Sequence, residues 1–457
     1  MEIAEEIYEA HKNLSPCSAK FLDFVKNNPE SLKRSNYSDL IPGFDSIKLQ
    51  PWPTFIDQKT KQQLREAGVK VFDLITSVPH RFFANDPAAI SRYYEMPLRM
   101  VSTLLDGMPK NHMNNLLARG DFILSPSGLK CLEYNFTANL GGWQVDMWEQ
   151  ELYLKNAVIS RFLGQYAGKR KKNIERVLPV LFNHLVSTAL DKFPGIGKVL
   201  NIILVSPNVN GEDSRSNIQP PRLNTFPQLD IRIRACPYQD LKIVNNKVYY
   251  REEQVHVLLE QYGGIVPPGF IDAFREGNVL VYNGRIVMLM SNKMNLAVLS
   301  ENHDSDIFSA GEREAIDTYI PWTRKITPGQ TTYAGKAIDL GPFVSSHRDQ
   351  LIIKPTIGYG GQAVYLGKYM TEARWQEVVN TALKSRRWVV QEYVESFSYL
   401  YQAGETGCVP HSLVWGVFIF GSHYGGGWVR VLPKEGSAGV VNRHQGAEEG
   451  IIVEMDE

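Results

Sequence analysis

Cysteine is scarce in this sequence: four in 457 residues, Cys17, Cys131, Cys236 and Cys408, with no C-x-x-C pair among them. That excludes a disulfide-stapled scaffold and points to a reducing compartment. A charge excess is also missing, because 49 basic residues balance 49 acidic ones. A nucleic-acid partner is therefore not expected, since such binders carry a basic excess that displaces counterions from phosphates. The run Lys169-Arg170-Lys171-Lys172 reads as a solvated helix start. Long hydrophobic stretches are absent too. The longest apolar run, Ser412 to Phe420, is too short to span a bilayer, and the opening Met-Glu-Ile-Ala-Glu-Glu is acidic where a signal or transit peptide would be basic. A cytoplasmic protein without a membrane partner is the expectation. There is no internal repeat, no H-E-x-x-H, no G-x-S-x-G, no Walker loop and no dinucleotide fingerprint, and none of the ten histidines sits at zinc-ligand spacing.

What is present is an ordinary globular composition, 43% hydrophobic and 21% charged. At roughly 150 residues per unit, the length predicts about three structural units. The first hundred or so residues mix helical periodicity with turn signals such as Pro51-Trp52-Pro53 and carry no catalytic cluster. Asp121–Leu124 and Leu129–Asn135 then read as a hairpin around Ser125-Pro-Ser-Gly128. A helical stretch from about Val145 to Lys192 precedes Val199-Leu-Asn-Ile-Ile-Leu-Val205, a run apolar enough for a buried parallel strand. With Asp230–Ala235 and Val279–Tyr282 it suggests a Rossmann-like unit. Leu351–Lys354 and Trp388–Val394 are predicted strands flanking a helix near Thr371 to Lys384, and Ile451–Val453 is predicted to be a strand near the end.

The hairpin holds the most informative residues. Centred on Ser127, it places Arg119 opposite Asn135 and Asp121 opposite Glu133, and residues two apart on a strand share a face, so all four project together. Two facing carboxylates repel by roughly 3 kcal/mol at about 5 Å with an effective dielectric near 20. Something positive is needed there, and a hard cation such as Mg²⁺ takes carboxylates, an amide oxygen and nucleotide phosphates. From spacing alone, a merely wet face alternating with Phe122, Leu124, Leu132 and Tyr134 is equally open.

Further along, Lys354 ends a strand ahead of Pro355-Thr-Ile-Gly358-Tyr-Gly360-Gly361, where backbone N–H groups could approach a phosphate, although a tight hairpin also fits. Lys293, after Ser291-Asn292, would by itself be a surface charge.

Arg-x-Asp followed by Leu-Glu-Tyr-Asn at this spacing resembles the synthetase domain of glutathionylspermidine synthase, a circularly permuted branch of the ATP-grasp superfamily, and the resemblance continues in order from about residue 115 to 445. It implies that Asp121, Glu133 and Asn135 hold metal and that Arg119 acts at the reacting phosphate. Lys293, Lys354, Gly358, Gly360 and Gly361 would hold ATP phosphates. Gln391, Glu392, Tyr393 and Val394 would form the adenine linker, and Arg430, in Gly425-Gly-Gly-Trp428-Val-Arg430, would lie near the transferred phosphate. Asn442 is a further candidate contact. Where the family carries charged residues in the glycine loop, this chain has Tyr359 and Gly360.

The resemblance further implies an α/β (α+β) protein with an ATP-grasp fold. Residues 1–114 would be a mainly helical N-terminal region and 115–195 the catalytic hairpin and helix. Residues 196–320 would form the Rossmann-like pre-ATP-grasp unit, 321–400 the lid and 401–457 the strands completing the core. The implied cofactors are ATP and Mg²⁺, two ions. The expected reaction is ADP-forming ligation of a small-molecule or peptide carboxylate to an amine through an acyl phosphate. A carrier-protein thiol as acceptor, phosphotransfer, and nucleotide binding without turnover remain open alternatives.

Overall fold

The computed structural model describes residues 3–28, 48–106, 112–142, 145, 156–166, 177–207, 225–358, 363–405, 407–437 and 439–456. A seven-stranded sheet organises them: β1 (Thr54–Ile56), β2 (Leu117–Ser125), β3 (Gly128–Phe136), β4 (Tyr399–Ala403), β5 (Gly407–Phe420), β6 (His423–Pro433) and β7 (Glu448–Glu454). Their order is β1-β7-β6-β5-β2-β3, with β4 beside the first part of β5. The pair β1–β7 is parallel and the other pairs are antiparallel.

Period-2 alternation gives this sheet two different faces. Phe122, Tyr134 and Phe136 point to one face, where Phe122 meets Tyr134, and Tyr134 and Phe136 meet Phe72 of a long helix, α1 (Gln58–Phe83). Leu64, Ala67, Val71, Ile75 and Val78 of α1 recur at helical spacing and are all buried. Asp57 caps the helix by accepting from the Thr60 N–H, which satisfies one orphan donor of the first turn. Gly68 sets the closeness of packing: a Cβ there would stand 2.9 Å from the side chains of Val417 and Ile419, and its carbonyl accepts from Tyr134 Oη at 2.7 Å. A buried ion pair, Lys61 to Glu454 at 2.8 Å, fastens α1 to β7.

The hairpin differs from expectation in one instructive way. Its turn is the two-residue connection Pro126-Ser127, not a loop centred on Ser127, and Gly128 supplies φ +92°. Near the turn Phe122 pairs with Cys131; a register shift then skips Leu132, after which Asp121 faces Glu133 and Arg119 faces Asn135. The expected pairing therefore exists because of a bulge. The bulge also turns Leu132, expected beside Tyr134 on the apolar face, into the wall of the cleft next to Glu133.

Two smaller sheets border the open face of the large one. In the first, Leu280–Tyr282, Val257–Glu260, Val199–Val205 and Asp230–Cys236 lie side by side, all parallel. The Asn283 amide ties it to β2, donating to the Leu117 carbonyl and accepting from the Leu117 N–H. The second is antiparallel, ordered Thr323–Lys325, Trp388–Glu392, Leu351–Pro355 and Tyr365–Leu366. The helix Glu372–Ser385 covers it with Trp375, Val378, Val379 and Ala382. The chain is thus mixed α and β with several sheets. Among the described residues, no helix is long and apolar enough to cross a membrane.

Candidate active site

The open face of the large sheet and the edge of the Leu351–Pro355 sheet enclose a cavity of about 790 Å³. That lies within the range of small-molecule and cofactor sites. Arg119, Asp121, Glu133, Asn135, Lys354, Gln391, Glu392, Tyr393, Val394, Arg430 and Asn442 all line it. Lys293 joins them through its ammonium, which lies 3.2 Å from Glu133 Oε2. Residues far apart in sequence are brought into contact: Arg430 Nη2 donates to Asp121 Oδ2 at 2.6 Å across 309 residues. Gly358 accepts from Lys293 Nζ at 3.4 Å. Tyr359, Gly360 and Gly361 lie outside the described residues, as does the Lys169–Lys172 run.

The positive charge that the facing carboxylates require is supplied by the protein itself. Arg119 grips Asp121 with two parallel bonds, Nε to Oδ1 at 2.7 Å and Nη2 to Oδ2 at 2.9 Å, and Arg430 adds the third. Arg119 also donates from Nη1 to the Gly141 carbonyl at 3.0 Å. Both guanidiniums also lie over the Trp428 ring, each 5.5 Å from its centroid. Trp428 can occupy that position because Gly416, opposite it on β5, has no side chain: a Cβ there would stand 2.2 Å from Trp428 Nε1. On the β2 side Gly416 pairs with Asp121, so the absent side chain sits between carboxylate and indole.

Glu133 has different surroundings. Burial alone would raise its pKa, but Lys293, Lys354 and Arg430 outweigh that and hold it at about 2. Lys354 Nζ donates to Gln391 Oε1 at 2.8 Å and to the Leu132 carbonyl at 3.2 Å. Burial pushes the Lys354 pKa down to about 8, the attraction of Glu133 only partly offsetting it. Gln391 is itself fixed, its amide donating to Thr323 Oγ1 at 3.1 Å. It orients a lysine; its polar atoms are already committed within the sheet. Glu392, Tyr393 and Val394 continue from the same strand along an apolar stretch of the cavity that includes Ile352, Leu366 and Val441.

The oxygen-only donor set of Glu133 and Asn135 suits a hard divalent cation. The Glu133 side chain keeps 30% exposure toward the cleft, whereas Asp121 is at 2% and accepts three guanidinium N–H bonds. Among the described residues no group of three His, Cys, Asp or Glu side chains converges on one point.

Two lining residues escaped the sequence reading. Glu449, on β7, lies directly opposite Arg430, and in the sequence it is one of two adjacent glutamates with nothing to distinguish it. Trp428 was visible as part of a motif, but its role as a platform depends on Gly416. Arg443 reaches Glu449 Oε1 at 3.5 Å and is half exposed; Asn442 is buried and caps the Arg443–Gln445 turn through the Gln445 N–H.

No protein-family model matches the chain, and no curated protein matches it either. Among solved structures, the chain is similar to a glutathione synthetase-like effector from Globodera pallida in its apo form. That likeness has a TM-score of 0.53 and 12% identity, and covers 99% of this chain and 100% of the other. A protein named "Putative gamma-glutamylcysteine synthetase" from Methylobacillus flagellatus matches at a TM-score of 0.40 and 11% identity over 80% of this chain and 86% of its own. The first likeness establishes a shared fold over the whole length; the second adds nothing to it.

Proposed function

We propose that the protein is an ATP-dependent ligase of the ATP-grasp type, joining a carboxylate to an amine with release of ADP and phosphate. One observation carries this reading: two lysines from outside the hairpin, Lys293 and Lys354, converge on Glu133 beside an Asp121 that anchors two arginines, all around one cavity. Four cations about two carboxylates leave a surplus of positive charge, which suits a polyphosphate. The shared fold with a glutathione synthetase-like effector is in keeping with it.

In this reading Lys293 and Lys354 hold the nucleotide phosphates, and Glu133 and Asn135 would hold Mg²⁺, with Asp121 the third candidate ligand. The metal, when bound, supplies charge neutralisation between phosphate oxygens. The Glu392–Val394 segment accommodates the base. The substrate carboxylate attacks the terminal phosphorus, and Arg119 and Arg430, pre-oriented by Asp121 and Trp428, offset the charge that develops. The acyl phosphate then meets the amine, a C–N bond forms, and phosphate leaves.

The test is incubation with ATP, Mg²⁺ and a panel of carboxylic acids in the presence of hydroxylamine. Hydroxamate together with ADP is expected. AMP as the product would overturn the proposal, phosphorylated acceptor without hydroxamate would indicate phosphotransfer, and nucleotide binding without turnover would indicate a regulatory protein. Glu133→Gln should remove turnover while the unfolding midpoint stays close to that of the wild type; undiminished turnover would take Glu133 out of the site.

A further inference from the structure

The ligase reading leaves one group at the cavity without a part. Glu449 lines the cavity, its side chain is 3% exposed, and it stands opposite Arg430 across the β6–β7 pair. Its Oε1 is 3.5 Å from Arg443 Nε, while its Oε2 is buried with no hydrogen-bond partner. A buried carboxylate oxygen left unpaired is rare and calls for a reason. Strand pairing does not provide one, because it is made by the backbone: the Glu449 N–H donates to the Lys48 carbonyl, and its own carbonyl accepts from the Gln50 N–H.

Three charged groups face it, Arg443 from the Arg443–Gln445 turn, Arg430 from β6 and Arg119 from β2. A second metal ion is disfavoured among three guanidiniums. Burial raises the pKa of Glu449, and the three arginines draw it back only in part. The result is a carboxylate more basic than a surface one, placed one strand from the arginine assigned to the transferred phosphate.

Amide formation needs such a group. An aliphatic amine in water near neutral pH is an ammonium, with a pKa of about 10.4 in the case of lysine, and has no lone pair to attack with. We propose that Glu449 is the general base that deprotonates the attacking amine, an inference that rests on the ligase reading given above. The ammonium passes one proton to Glu449 Oε2, leaving a neutral amine and a carboxylic acid. The amine nitrogen attacks the acyl carbon; the new C–N bond forms as the C–O bond to phosphate breaks. Phosphate departs with that electron pair and takes the second amine proton. Glu449 then releases its proton to solvent.

Hydroxylamine separates this role from every other, because it is largely unprotonated at neutral pH and needs no base. The wild type and Glu449→Gln would be compared with ATP, Mg²⁺ and the carboxylate that gives most hydroxamate. The acceptor would be hydroxylamine in one series, and glycine, ethanolamine or 1,3-diaminopropane in the other. The expected result is a loss of amide formation about 10²-fold greater than any loss of hydroxamate formation, the scale of general-base catalysis. The variant's amide rate should climb toward the wild-type rate as pH approaches the pKa of the amine, and Glu449→Asp should restore part of the activity at neutral pH. Equal losses with both nucleophiles, or no loss with either, would overturn the assignment. Absence of hydroxamate from the wild type would instead remove the ligase reading, and this proposal with it; that failure is visible before any variant is made.

Discussion

The arginine platform makes a demanding prediction at a residue with no chemistry of its own. In Gly416→Ala the new Cβ would start 2.2 Å from Trp428 Nε1 and 2.7 Å from its Cδ1. Ordinary contact begins at 3.4 Å, so indole or strand must yield by roughly 1.2 Å. Retreat is blocked on another side by Gly142, whose own Cβ, were there one, would lie 2.4 Å from the same ring. Overpacking of this kind costs about 1–3 kcal/mol, which a chain with this much buried core should survive folded. The larger consequence is positional. Arg119 and Arg430 rest on the ring that must move, and a displacement of about 1 Å at reacting groups costs on the order of 10²-fold in rate. The checks are kcat/KM in the hydroxamate assay and the urea midpoint, measured on the same preparation. Turnover within twofold of the wild type would refute the idea that Trp428 positions the two guanidiniums. Equal collapse of midpoint and turnover would show a fold effect only.

Lys61→Met should lower unfolding free energy by about 3–5 kcal/mol by removing one charge of a buried ion pair, and the double change with Glu454→Leu should recover most of it; urea titrations of the three proteins decide. The Lys354 pKa is depressed to about 8, so its ammonium is present below that value and lost above it. Nucleotide affinity measured by calorimetry should therefore fall as pH rises through about 8, and a flat profile would remove Lys354 from phosphate binding. Stability runs the other way. With the folded pKa below the unfolded one, the unfolded chain binds more protons between about pH 8 and the ordinary lysine value, and this term favours the folded state increasingly as pH rises through that window.

Some of this architecture is written locally and some is not. The strand Val199–Val205 is apolar but for Asn201, which is what burial on both faces of a parallel sheet demands, and it lies between parallel neighbours. The helix Glu372–Ser385 begins at a capping Thr371 and buries Trp375, Val378, Val379 and Ala382, a spacing visible without coordinates. In the hairpin, Arg119, Asp121, Glu133 and Asn135 alternate with apolar residues, and a two-residue period is a property of the chain itself. The bulge at Leu132 was hidden, because nothing in the order of residues states whether a turn takes two residues or three.

What the sequence by itself determined, then, is that Arg119 shares a face with Asp121 and Glu133 with Asn135, and that segments such as Val199–Val205 and Glu372–Ser385 are a strand and a helix. Only the tertiary structure decided what those side chains meet. Asp121 holds arginines from β2 and β6, Gln391 is committed to Lys354 and Thr323, and Glu449 stands opposite Arg430 with an unpaired oxygen. The physical reason is range: periodicity and capping act over a few residues, whereas the register that places Arg430 against Asp121 joins positions 309 apart and is set by how whole faces pack.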